Sequence, residues 1–271
     1  MTVITSTPGP SRRARLASPT GYLAPVVRSE WLKLRTTRST WWTAGVAGIV
    51  SVTLGALHCR SIASATHVPQ GVDALGASQF GLTIGQFVAA VAGVLIITGE
   101  YSGGTIHPTL IATPQRTRLL SAKVLVTASA AFAYGLILAI TSFEIGQAIL
   151  APHLHVALFT ALTIRRLLGA AAIFLAMALL GFALGTLARR TAGALVALGA
   201  ALVLPSLLLS VLKAATRQNI SRFLPLRAAE ALVQRTPDAS TLHPLAALGV
   251  LAAEIAVLLT AGAILLARRD A

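Results

Sequence analysis

Apolar residues fall into six long unbroken runs separated by short polar punctuation: Ser39 to Leu57, Phe80 to Thr98, Val124 to Phe143, Leu167 to Leu187, Ala192 to Leu212 and Leu245 to Ala267. A helix needs about 20 apolar residues to cross a hydrocarbon core of about 30 Å, since each residue advances it roughly 1.5 Å. The pattern therefore predicts six membrane-spanning helices and no sheet. Ile145 to Ile164 is apolar enough for a seventh, but two residues are too few to turn between spanning helices, and Pro152, His153 and His155 interrupt the run. It reads as a partly inserted segment on the outer face.

Polar positions sort by side. Arg28, Lys33, Arg35 and Arg38 precede the first run, Arg116, Arg118 and Lys123 the third, Arg189 and Arg190 divide the fourth from the fifth, and Arg268 and Arg269 follow the sixth. With the N-terminus inside, these clusters and Arg12, Arg13 and Arg15 place 14 of the 22 basic residues in the cytoplasm. Within the spans, small residues recur every fourth position: Gly81, Gly85, Ala89 and Gly93 in the second, Gly181 and Gly185 in the fourth, Gly193, Ala197 and Ala201 in the fifth. Such faces let helices approach closely in lipid.

Two amphipathic elements flank the spans. Leu23, Val27, Trp31 and Leu34 recur at helical spacing while Arg28, Glu30, Lys33 and Arg35 project elsewhere, which predicts a surface-lying helix over 22–38 with its indole at headgroup level. Residues 1–21, rich in Ser, Pro and Arg, read as a flexible basic tail without a signal peptide, and 39–271 as one membrane domain. Between the second and third runs, Gly99 and Gly103–Gly104 permit a sharp turn. A short helix from Thr105 follows, with Ile106 and Leu110 forming an apolar ridge and Pro114 stopping it. Arg116, Arg118 and Lys123 then anchor the third span at the headgroups. A rigid ridge of this kind suits docking into a groove on a cytosolic partner.

Composition narrows the function. Only 11% of the 271 residues are charged and 55% are hydrophobic, and a net charge of +14 is carried in short clusters at span ends. That distribution suits anionic lipid headgroups and disfavours nucleic acid, which needs a continuous basic stripe. There is no phosphate-binding GxxxxGK[ST] loop, no HExxH and no nucleophile elbow, so ATP chemistry, a metal site and hydrolysis are not expected in this chain. The single cysteine, Cys59, rules out an intrachain disulfide. Glu254 is the one carboxylate deep in a span; it is protonated, paired or facing a wet cavity, and a proton or cation site is its sharpest reading.

The stretches EWLKLRTTRSTWW (30–42), GEYSGGTIHPTLIATPQRTRLLSAK (99–123), LARRTAGALVALG (187–199) and the terminal LLARRDA together resemble the ABC-2 type permease subunits of bacterial ATP-binding cassette transporters, from about residue 24 to the C-terminus. The resemblance implies a six-helix, all-α fold in the cytoplasmic membrane with both termini cytosolic, and two short outer half-helices within Lys213 to Pro244. It also implies that two permease copies, identical or related, pair with two cytosolic ATPase subunits that bind ATP and Mg. Glu100 and Tyr101 would then form the hinge of a coupling helix, with Glu100 capping or pairing with Arg116, Arg118 or the N-terminal helix. Thr105, Ile106, Leu110 and Pro114 would form its docking ridge, and Glu30 and Lys33 would belong to the surface helix. The expected function is export of a hydrophobic or amphipathic substrate. An ion-coupled carrier using Glu254 and a noncatalytic membrane sensor or assembly protein are the alternatives.

Overall fold

In a computed structural model, residues 23–65, 72–103, 116–150, 154, 156–235 and 241–268 are described. They form ten helices: α1 (Leu23–Thr36), α2 (Arg38–Ala63), α3 (Ala74–Ser78), α4 (Leu82–Ser102), α5 (Arg116–Leu150), α6 (Ala161–Ala188), α7 (Thr191–Leu209), α8 (Ala214–Ser221), α9 (Pro225–Val233) and α10 (Pro244–Arg268). Six of them, α2, α4, α5, α6, α7 and α10, are long and apolar enough to cross a membrane. The six predicted spans each lie within one of these helices except at a few end residues, because a run apolar on all sides can satisfy its backbone in lipid only as a helix.

Helix α6 is the centre of the bundle. In its most apolar stretch 72% of residues are shut inside the protein, against 17% for α7 and for α10. Its partner of closest approach is α4. A Cβ on Gly181 would collide with the Ala90 carbonyl, and one on Gly93 with the Ala178 carbonyl, so only glycine permits this crossing. The small-residue rows of the second and fourth spans thus pack against each other. The row in the fifth is split: Gly193 is exposed, Ala197 and Ala201 are partly buried against the core, and α7 buries Ala194, Leu198 and Leu202, one position further on. These contact α6, while Leu204, Leu207 and Leu208 remain exposed.

The segment Ile145 to Ile164 is not a separate inserted element among the described residues. Ile145 to Leu150 continue α5, whose 35 residues extend about 52 Å and overrun the hydrocarbon, and Ala161 to Ile164 begin α6. Thr160 caps α6 by accepting from the Thr163 N–H at 3.1 Å. At the same end, Arg166 holds Asp73 through two hydrogen bonds of 2.7 and 2.6 Å, tying α3 to α6. Burial alone would raise the Asp73 pKa, but the hydrogen bonds from Arg166 and the Gly76 N–H, with the charges of Arg166 and Arg235, outweigh it and lower it. Two short helices, α8 and α9, occupy part of the Lys213 to Pro244 stretch, with Pro225 opening α9 at its first position.

Candidate functional site

At the other end of the bundle the chain enters α1, leaves α4 and begins α5, and three of the candidate residues meet there. Helix α1 packs on α5 through Leu23, Val27, Glu30 and Leu34, which recur at intervals of four, three and four. The expectation that Glu30 projects away from the apolar stripe is therefore corrected. Glu30 is the most buried residue of α1, at 7% exposure, while Trp31 and Leu32 turn outward. The reason is a partner that periodicity does not reveal. Lys123, two turns into α5, is 3% exposed and donates to Glu30 Oε2 at 2.6 Å.

Lys123 also donates to Glu100 Oε1 on the last turn of α4. Lys33 completes the group, donating to Glu30 at 2.9 Å and to Glu100 at 3.3 Å. Two carboxylates and two ammonium groups thus alternate in a closed, formally neutral ring that joins α1, α4 and α5. Lys33 is its solvent side, with 47% of its side chain exposed. Burial alone would lower the Lys33 pKa, but the hydrogen bonds and charges of Glu30 and Glu100 outweigh it and raise it. Among the described residues, the second oxygen of Glu100 is buried without a hydrogen-bond partner.

Around this ring the same end is braced twice more. The Trp41 indole N–H donates to the Arg35 carbonyl at 3.0 Å and holds the elbow between α1 and α2. Trp31, Trp41 and Trp42 are all exposed there, in the manner of a belt at headgroup depth. Arg189, between α6 and α7, adopts the left-handed conformation (φ 56°), which costs a non-glycine residue about 1–3 kcal/mol. Its guanidinium lies 5.7 Å from the centre of the Tyr101 ring and donates to the Leu265 carbonyl at 3.3 Å, so the turn is held against α4 and α10.

Of the candidate residues, Glu30, Lys33 and Glu100 share the ring, and Tyr101 lies beside Arg189. Val27 and Leu34 are half-buried on α1. Arg118 is half-buried on α5 and Arg116 opens that helix; the described partners of Glu100 are Lys33 and Lys123. Thr105, Ile106, Leu110 and Pro114 lie outside the described residues, as does the proposed tail 1–21. Glu254 stands apart on α10, half-buried, with one carboxylate oxygen shut from solvent and without a hydrogen bond among the described residues. The sequence pattern marks Lys123 only as a headgroup anchor. The signal available was its place in the row Leu119, Leu120, Lys123 and Val126, where the other members are buried.

A family model described as "ABC-2 family transporter protein" matches residues 26–207, about two thirds of the chain. The match covers the charged ring and ends within α7, short of the C-terminus to which the sequence resemblance extends. No curated protein matches the chain.

Proposed function

The chain belongs to the ABC-2 family of transporter proteins and is a multi-pass membrane permease component of an ATP-binding cassette transporter, and from that premise we propose that it exports a hydrophobic or amphipathic substrate using ATP hydrolysed by a separate cytosolic subunit. Two ATPase subunits, carrying ATP and Mg, act on a pair of permease copies. Both termini and the 104–115 segment face the cytosol of a bacterial cell, across whose cytoplasmic membrane the six helices pass.

The observation that carries this reading is the ring of Glu30, Lys33, Glu100 and Lys123. It brackets residues 104–115 on both sides, since Glu100 lies just before that stretch and Lys123 just after it. A push on a docking element between them passes into α4, α5 and α1 together, and α4 hands it to α6 through the glycine crossing. The device transmits a rigid-body displacement from an ATPase into the bundle. In this role Thr105, Ile106, Leu110 and Pro114 make the docking ridge, Glu100 and Tyr101 the hinge, Arg116 and Arg118 the basic approach to α5, and Trp31 the outward contact of α1 with the membrane surface, while the half-buried Val27 and Leu34 seat α1 on the bundle.

The test is co-purification of the tagged chain from its host and measurement of ATP turnover by the associated subunit in proteoliposomes. An ATPase bearing a phosphate-binding loop should accompany the wild type and be lost from Glu100→Ala plus Leu110→Asp. Retention of that ATPase by the double variant, or purification of the wild type alone, refutes the coupling assignment. The unpaired Glu254 oxygen favours one other reading, an ion-coupled carrier. That reading requires transport driven by a proton gradient without ATP and abolished by Glu254→Gln.

A further inference from the structure

At the end of the bundle away from the charged ring, residues 213–235 carry Lys213, Arg217, Arg222, Arg227 and Arg235 against a single acid, Glu230. In the proposed topology this stretch faces outward, where basic residues are disfavoured by the rule that sets membrane orientation. Their retention calls for a local reason. Three of the five converge on one cavity of about 290 Å³ between the end of α7, α8 and the start of α9. Arg217 and Ser221 are four apart on α8 and Gln218 adjoins them, so one helical face supplies all three. Arg222 caps α8, Arg227 lies in the first turn of α9, and Ser206 of α7 adds a hydroxyl.

The charges in this cavity are not balanced from within. Glu230 engages Arg227 at 3.1 Å, and no ion pair holds Arg217 or Arg222 among the described residues. The Arg222 Nε is shut from solvent with no hydrogen-bond partner among the described residues, and the guanidinium lies 5.0 Å from the centre of the Phe223 ring. Arg222 is half-buried and Arg217 and Arg227 are exposed at the cavity; guanidinium groups lining one hollow repel one another, and an anion with several oxygens relieves that repulsion. Their planar forks match phosphate in geometry, and hydroxyl and amide donors complete its coordination. The surroundings are apolar and open: Leu207, Leu208 and Val211 at the end of α7, and Ile220 and Phe223 near the cavity, are all exposed.

We propose that this cavity is a phosphate-binding site, with Arg217 and Arg222 as the principal ligands and Ser206, Gln218 and Ser221 as neutral donors. The phosphate arrives on a lipid headgroup or as a free anion. Binding there requires neither ATP nor a partner subunit, so it stands or falls separately from the transport reading.

The test uses the full-length protein in detergent, titrated with phosphatidic acid or phosphatidylcholine and read by native mass spectrometry. Phosphatidic acid should bind about tenfold more tightly than phosphatidylcholine, whose choline cation meets the same guanidiniums. Arg217→Gln and Arg222→Gln should each abolish about that preference, the worth of one charged hydrogen bond. Arg60→Gln, which removes an exposed charge from the end of α2, should leave binding unchanged. Arg217 is itself exposed, so its variant remains informative if Arg222→Gln fails to fold. Displacement of phosphatidic acid by millimolar inorganic phosphate assigns the site to a free anion; resistance to displacement assigns it to the lipid. Equal affinity for the two lipids, or equal effects of Arg217→Gln and Arg60→Gln, overturns the proposal.

Discussion

Replacing Lys123 by methionine tests the charged ring most directly. The substitution keeps the length and apolar stem of the side chain and removes one cation from a ring of two cations and two anions, so Glu30 and Glu100 are left sharing Lys33. Glu30 is 7% exposed and Glu100 14%, so neither can recover full hydration. Breaking a buried ion pair from one side costs about 3–5 kcal/mol, because the abandoned charge stays buried. Lys33 remains at 2.9 and 3.3 Å from the same carboxylates and offsets part of this, which puts the expected loss at about 3 kcal/mol. Adding Glu100→Gln restores neutrality and leaves the Glu30–Lys33 pair intact, so the double variant should regain about 1–2 kcal/mol over Lys123→Met alone. Unfolding by SDS in mixed micelles, followed by tryptophan emission, suits the measurement because all three tryptophans, Trp31, Trp41 and Trp42, stand on α1 or the first turn of α2. A loss below about 1 kcal/mol for the single variant, or a double variant less stable than the single, would refute the description of these residues as one buried coupled ring.

At the opposite end, Asp73→Asn should destabilise by about 2 kcal/mol, below the usual range for a broken pair because Asp73 is 37% exposed. Because its pKa is lowered on folding, the carboxylate contributes above the unfolded value of about 3.9 and loses that contribution as pH falls through the folded value, so wild type and variant should converge in chemical unfolding below about pH 4. The Lys33 ammonium runs the other way: with its pKa raised, its contribution is complete below about pH 10.4 and is lost only as pH climbs past the folded value, so α1 should resist trypsin equally at pH 7 and pH 9. Gly181→Val should cost about 1–3 kcal/mol by forcing α4 from α6, whereas Gly199→Val, with nothing within 4 Å of its Cβ, should be near neutral in the same SDS titration. On the proposed coupling role, Leu110→Asp should lower ATP turnover of the reconstituted complex without changing Lys123-dependent stability.

Spans, short helices and candidate residues were unequally visible along the chain. The six spanning helices were legible because the requirement that sets them is local: an apolar run in lipid must satisfy its own backbone, and its length must match the membrane. The Gly93 and Gly181 rows were legible as close-packing faces for the same local reason, but not which rows meet. The row at Gly193 looks equivalent in sequence, yet Gly193 itself ends up exposed and Ala197 and Ala201 only partly buried, because partner choice depends on the arrangement of all six helices around α6. Glu30 shows the limit most plainly. Periodicity assigned it to the solvent side of α1, since a lone carboxylate there gains by hydration, and only the arrival of Lys123 from 93 positions away makes burial favourable. Likewise the arginines of 213–235 read as scattered loop charges until the turn at Pro225 brings Arg217, Arg222 and Arg227 to one cavity. Composition and hydropathy by themselves determined that this is a six-helix membrane protein. Which charges are buried together, and which face outward unpaired, was decided by tertiary structure, because pairing is a property of distances between segments that no local pattern encodes.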